Sequence, residues 1–167
     1  ALPLARLRVR RQLAEVRAAD LRFTTEETAT WAQAALGASL PADALALLVA
    51  RSEGWAAGIQ RALAAAQSVG TDSLRRVLSG TDPAIAAYLE AEVWSPQPVP
   101  IQTFLRETCF LDVLTGPLCD AVTGRRDGQA TLEALEQAGL FTFALDSQRR
   151  LFRYHRLFAE FLRSGLR

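Results

Sequence analysis

Between residues 140 and 154 the chain reads "LFTFAL", a polar "DSQR" and then "LFRY". Apolar and polar residues alternate with period two on both sides of the turn, which is the pattern of a β-hairpin. This hairpin constrains the fold because its surroundings are helical. Ahead of it lie a helix carrying Ile101, Phe104 and Leu105, a short one around residues 115–122, and a third from Asp127 to Ala138 that buries Leu132 and Leu135. Behind it a last helix, from His155 to about Gly165, turns Leu157, Phe158, Phe161 and Leu162 inward. Three helices, a hairpin and a closing helix are the order of a winged-helix domain.

The first half carries helical spacing. Thr24 and Glu27 form a capping box for a helix that Gly37 closes. Pro41 starts a second helix, residues 41–52, burying Leu45 and Leu48. In "SEGWAAGIQ", residues 52–60, Trp55 and Ile59 begin a third stripe that Leu63 and Ala66 continue. Glycine inside a helix costs about 1 kcal/mol against alanine, so Gly54 and Gly58 need a reason. Gly54 is expected to end the helix that Pro41 began, and Gly58 to leave room beside Trp55. Asp82 and Pro83 form an N-cap and N1 pair, launching Ile85, Tyr88, Leu89 and Val93 on one face. "SPQPVP", residues 95–100, reads as a rigid boundary between two subdomains. Residues 7–23 alternate weakly and read as a short extended segment. The expected class is therefore mainly α: a small helical bundle followed by a winged-helix domain with a C-terminal β-hairpin.

Composition removes several functions. The chain has 167 residues, enough for one domain or two very small ones, and a net charge of +1 that gives no general pull toward nucleic acid or anionic lipid. All 19 cationic residues are arginine. Without lysine there is no GxxxxGK[ST] loop and no lysine Schiff base. Cys109 and Cys119 fit no metal-ligand spacing and read as small core residues of a reduced, cytoplasmic protein. No apolar run approaches the roughly 20 residues that span a membrane. "ALPLARLRVRRQL" is too short in apolar length for a signal peptide, and its abrupt start without methionine suggests part of something larger. No Ser–His–Asp arrangement supports catalysis.

A winged helix suggests DNA, but the charges oppose it. The helix that would enter the groove carries Asp127, Glu133 and Glu136 and no arginine, whereas phosphates demand cations there. Arg149, Arg150, Arg153, Arg156 and Arg163 lie instead on the hairpin and last helix, as a solvated face or an interdomain contact.

His155 is the only histidine, and it stands where the hairpin ends and the last helix begins. An imidazole there either joins the free helix N–H groups against an anion or serves as a cap and core hydrogen-bonder. Four ordered stretches then carry a resemblance: "LPLARLRVRRQLAEVRAADLRFTTEE", "RSEGWAAGIQRAL", "YLEAEVWSPQPVPIQTFLRETCFLDVLTGPLCDAV" and "LFRYHRLFAEFLR". Together they resemble the MalT-like, ATP-dependent LuxR-family transcriptional regulators, which are signal-transduction ATPases.

That resemblance implies a nucleotide switch. Residues 1–23 resemble the end of the P-loop ATPase domain with its last strand, residues 24–95 the helical domain and residues 98–167 the winged-helix domain. The Walker motifs, the sensor region and the DNA-binding domain would lie elsewhere in a longer protein. By resemblance His155 would contact the β-phosphate of ADP, while Gly54 and Trp55 would lie beside the adenine and ribose. The cofactor implied is ADP/ATP in the full-length protein, with no tight binding by this stretch alone. The implied partners are the P-loop domain of the same chain and a downstream sensor domain. Neither direct DNA binding nor a membrane is expected, and residues 1–23 offer an edge for self-association. Trp55 remains open between a core tryptophan and a ligand wall. The sequence departs from the family pattern at Arg61, where an apolar residue is commoner, and at Trp94 and Ser95, in a segment usually more basic. An interdomain scaffold without nucleotide contact is the alternative.

Overall fold

The structure is a computed structural model and describes residues 4–10, 12–14, 16 and 20–166. It is mainly helical with one two-stranded antiparallel sheet. The chain opens with helix α1 (Leu4–Val9), and among the described residues no strand precedes Thr24. The extended segment expected over 7–23 is thus corrected at its start. Leucine, alanine and arginine in "LARLRV" are among the strongest helix formers, and among the described residues no neighbouring strand holds them extended. Residues 1–3, 11, 15 and 17–19 lie outside the described residues, and so does the part of the self-association expectation that falls on them.

Helix α2 (Thr25–Leu36) has the expected capping box and ends at Gly37, φ 71°. Helices α3 (Ala42–Ser52) and α4 (Ala56–Val69) pack on it around Ala32, Leu48, Ile59, Ala62 and Leu63. A short helix α5 (Leu74–Val77), not anticipated between the two glycine-containing turns, adds Leu74, Val77 and Leu78 to this first core. Full burial of each leucine contributes about 1.5–3 kcal/mol.

Asp82 accepts hydrogen bonds from the N–H groups of Ala84 and Ile85 and starts helix α6 (Pro83–Tyr88), which runs on as a wider turn through Leu89–Trp94. Its buried face, Ile85, Leu89 and Val93, joins the second core. That core also holds Phe104 and Leu105 from α7 (Val99–Thr108) and Cys119 from α8 (Gly116–Thr123). Leu132 and Leu135 come from α9 (Gly128–Gln137), and Phe158 and Leu162 from α10 (Arg156–Ser164). The proline-rich break is therefore a corner inside this core: Trp94's carbonyl accepts from Gln97 N–H at 3.0 Å and from Gln102 Nε2 at 3.1 Å. The two cores separate earlier, around residues 79–82.

Strands β1 (Thr142–Ala144) and β2 (Phe152–Tyr154) pair with Phe143 opposite Arg153, and Leu114 bridges to Phe152 on the other side. Phe152 and Tyr154 therefore face the core, where the Tyr154 hydroxyl meets the Thr108 hydroxyl at 2.7 Å. Cys109 and Cys119 are buried free thiols, as their apolar settings predicted.

Candidate functional site at the seam of the two cores

The C-terminal end of α3 meets the N-terminal end of α10, and Gly54, Trp55 and His155 converge there. Gly54 has φ 76°, and its carbonyl accepts from Phe23 N–H at 2.9 Å. A Cβ at Gly54 would lie 2.6 Å from the Phe23 carbonyl oxygen, so close backbone approach requires glycine. The helix-ending left-handed residue is not Gly54, however. It is Glu53, φ 49°, whose N–H reaches back to the Val49 carbonyl. Its carboxylate is held from outside the helix.

The Gly58 expectation is also refined. The space beside it is filled by the Trp55 indole, whose Cε3 would stand 2.8 Å from a Cβ at Gly58. The indole then reaches across the seam as one wall of an aromatic cluster. Its ring centroid is 5.3 Å from Tyr88, 5.3 Å from Phe141 and 6.1 Å from the imidazole of His155.

His155 is only 2% exposed and is the N-cap of α10. Its Nδ1 accepts from Leu157 N–H at 3.2 Å, and its Nε2 lies 3.0 Å from the Ser52 carbonyl oxygen. A nitrogen facing an N–H must be bare and one facing a carbonyl must carry the proton, so this geometry selects the neutral Nε2–H tautomer. Burial pushes the imidazole below its ordinary value, against the Glu53 charge and the Ser52 hydrogen bond, which favour protonation. The backbone is tied as well: His155 N–H donates to the carbonyl of Phe141 at 2.7 Å, and Phe141 takes a left-handed φ of 49° to present it.

The Glu53 carboxylate lies against the first turn of α10. Its carboxylate accepts from both Arg153 terminal nitrogens, at 3.0 and 2.7 Å, and from Arg156 N–H at 3.1 Å. Burial opposes its ionisation, but the Arg153 hydrogen bonds, the His155 side chain and the Arg156 N–H together hold it below the usual carboxylate range. Arg22 completes the cluster, its guanidinium 3.9 Å from the Phe143 ring centroid and acting electrostatically on both Glu53 and Arg153.

A second link lies one turn away. Arg51 pairs with Glu160 at 2.8 Å and donates from Nε to the Leu78 carbonyl, while Glu160 accepts from Gly80 N–H at 3.0 Å. A Cβ at Gly80 would overlap the Leu157 carbonyl oxygen, so glycine lets this loop lie flat on α10. Arg61, the departure noted in the sequence, forms a bidentate pair with Asp82 at 3.2 and 3.1 Å, across the start of α6. Sequence reasoning missed Ser52, Glu53, Arg22 and Phe141. Only the position of Glu53 between Ser52 and Gly54 in "SEGW" marked it.

The hairpin turn is tied to α9. Arg149 in the turn pairs with Glu136 on α9, and Gln129 donates from Nε2 to the Arg149 carbonyl at 2.7 Å. Among the described residues no group of three or more His, Cys, Asp or Glu side chains could hold a metal ion, and no helix is long and apolar enough to cross a membrane.

Three helices, the hairpin packed through Phe152 and Tyr154, and α10 returning beneath it define a winged-helix domain. Residues 90–167 match the MalT winged helix domain family. This part of the chain is a MalT-type winged-helix domain, and the chain is MalT-like over nearly its whole length, as the sequence resemblance indicated. It is 35% identical over 165 residues to the HTH-type transcriptional regulator MalT of Klebsiella pneumoniae, covering 97% of this chain and 18% of that protein. It is 34% identical over 166 residues to the serine/threonine-protein kinase PknK of Mycobacterium tuberculosis, covering 99% of this chain and 15% of that protein. The chain thus spans less than one fifth of the length of these relatives.

Proposed function

We propose that this chain is the regulatory helical and winged-helix part of a nucleotide switch in a MalT-like, LuxR-family transcriptional regulator, coupling ADP/ATP state to activation. In this reading residues 24–95 are the helical domain, its last helix packing through Ile85, Leu89 and Val93 into the second core, residues 98–167 are the winged-helix domain and residues 1–23 the end of a preceding P-loop domain. The observation that carries this is the convergence of Gly54, Trp55 and His155 at one seam from positions about 100 residues apart. In this reading the P-loop domain of the same chain brings ADP to the seam, favouring a closed state that ATP and inducer release. The relatives support a regulatory role over an output role. The same stretch is similar to parts of a protein named as a transcriptional regulator and of one named as a kinase, as a shared regulatory module would be.

The stretch itself is neither catalyst nor DNA reader. On α9 Glu133 offers phosphates no cation, Glu136 is paired with Arg149, and Arg125, beside Thr131, is paired with Asp127. A cytoplasmic location and a downstream sensor domain as second partner belong to the same reading. In the full-length protein, His155→Ala is expected to shorten ADP retention and raise basal activation. Unchanged retention and unchanged activation would sink the phosphate-sensor role.

One observation favours a second reading. Both imidazole nitrogens are satisfied within the chain and Trp55 is packed against Tyr88 and Phe141, as an interdomain scaffold without nucleotide contact would have them. The scaffold predicts that His155→Ala loosens the seam and leaves ADP affinity alone.

A further inference from the structure

The imidazole of His155 is not free to meet an anion, because the Ser52 carbonyl holds its Nε2 at 3.0 Å. That carbonyl belongs to the peptide joining Ser52 to Glu53, and Glu53 sits in a backbone region that favours glycine. Local bonds shape the turn: Glu53 N–H donates to the Val49 carbonyl at 2.9 Å and Trp55 N–H to the Ser52 carbonyl at 2.8 Å, but neither ties it to α10. The tie to the other core is the side chain: two hydrogen bonds from Arg153 and one from Arg156 N–H grip the carboxylate. With the side chain pinned to α10, the backbone on its N-terminal side is pinned too, and its carbonyl points at the ring. Ser52 is fully buried and Glu53 half-buried, so water does not readily replace either contact.

We propose that Glu53 is the positioning residue of this site: its grip on Arg153 and the α10 N-terminus clamps the Ser52 carbonyl onto His155 Nε2 and keeps the ring closed until Glu53 lets go. The proposal rests on His155 as the anion contact for its biological meaning, but not for its geometry. Any anion reaching the ring must release Nε2 from Ser52, and the carboxylate that resists this already occupies the cationic first turn of α10. Glu53 and the incoming anion therefore compete for the same donors. The clamp sets how readily the seam opens to its ligand.

His155 is the only histidine, so its ring nitrogens can be observed alone by nitrogen-15 magnetic resonance in the 167-residue chain. The native ring is expected as one tautomer, bare at Nδ1, with slow exchange at Nε2–H. Glu53→Gln and Arg153→Gln break the grip from opposite sides. Each is expected to speed Nε2–H exchange by about tenfold or more and to mix the tautomers. The amides of Ile59 and Leu162, inside the two cores, keep their protection. Glu160→Gln, which loosens the neighbouring Arg51 pair, leaves the ring as it was. Native tautomer and exchange in both Glu53→Gln and Arg153→Gln would overturn the proposal, as would equal ring release in Glu160→Gln. A second arm measures MgADP retention in the full-length protein, where Glu53→Gln is expected to hold ADP about tenfold longer and to lose that gain when His155→Ala is added. Ring release without any change of ADP retention, in Glu53→Gln or His155→Ala, upholds the clamp and removes the nucleotide reading instead.

Discussion

The carbonyl oxygen of Ser52, at the end of α3, lies 3.0 Å from Nε2 of His155, the residue that caps α10. The contact joins a negative helix end to a positive one across two separate cores. It also fixes the tautomer, since Nδ1 is committed to Leu157 N–H.

Stability is expected to depend on pH through His155. Its folded value lies below the ordinary 6.5 because burial penalises the charged ring. Above 6.5 the ring is neutral in both folded and unfolded chains, and nothing changes. As pH falls through the unfolded value, the unfolded chain takes up a proton that the folded chain resists, so stability drops until the folded ring is protonated too. Glu53, held below its ordinary 4.5, adds a separate loss at lower pH. Urea unfolding of His155→Asn, which keeps a capping acceptor, is expected to lose the upper step. A step that persists in His155→Asn would assign it elsewhere.

Trp55 pins the first core to the second through Tyr88 and Phe141. Removing a large aromatic from such a position costs about 3–5 kcal/mol when fully buried, and Trp55→Ala, being half-buried, is expected near the lower end. The loss should appear in denaturant titration as separation of one transition into two. A single shifted transition would show that the cores do not rely on the indole to unfold together.

Gly80→Ala tests the flat loop on α10. The added methyl overlaps the Leu157 carbonyl, which is backbone and cannot swing aside, so a destabilisation of about 1–3 kcal/mol is expected. Gly124→Ala is the control, because a Cβ at that left-handed glycine meets nothing within 4 Å. It should cost only its backbone strain, about 1–2 kcal/mol. Thermal melts of the two, combined with amide exchange along α10, separate the cases: only Gly80→Ala should loosen Leu157 and Phe158.

Arg61→Leu strips Asp82 of its bidentate partner. Asp82 keeps the Ala84 and Ile85 N–H groups, and the Arg61 side chain is about one third exposed, so a loss of only about 1 kcal/mol is expected. Equal stability of the variant and the native chain in high salt would confirm that the pair is electrostatic in origin.

Much of the architecture was legible in local signals. The capping box at Thr24, the Asp82–Pro83 start, the alternation around "DSQR" and the apolar stripe of α10 each depend on neighbours a few residues away. The first residues misled because weak alternation resembles a strand, whereas leucine, alanine and arginine favoured the helix Leu4–Val9. The position of the proline-rich break was clear, but its role was not. Prolines end a helix wherever they stand, and only packing showed that Ile85, Leu89 and Val93 bury themselves with the residues beyond it.

By itself the sequence determined the helical class, the hairpin and the buried cysteines, while the three residues that meet at the seam were marked only by its resemblance to a known family. It did so because caps, turns and apolar periodicity are short-range chemistry. The tertiary structure alone decided that Glu53, rather than Gly54, ends α3 in the left-handed conformation, and that both nitrogens of His155 are engaged. The contacts that tie these two positions to α10 join residues about 100 positions apart, Glu53 to Arg153 and Ser52 to His155. No local propensity encodes such a bond, for it exists only once the two cores have formed and brought α3 against α10.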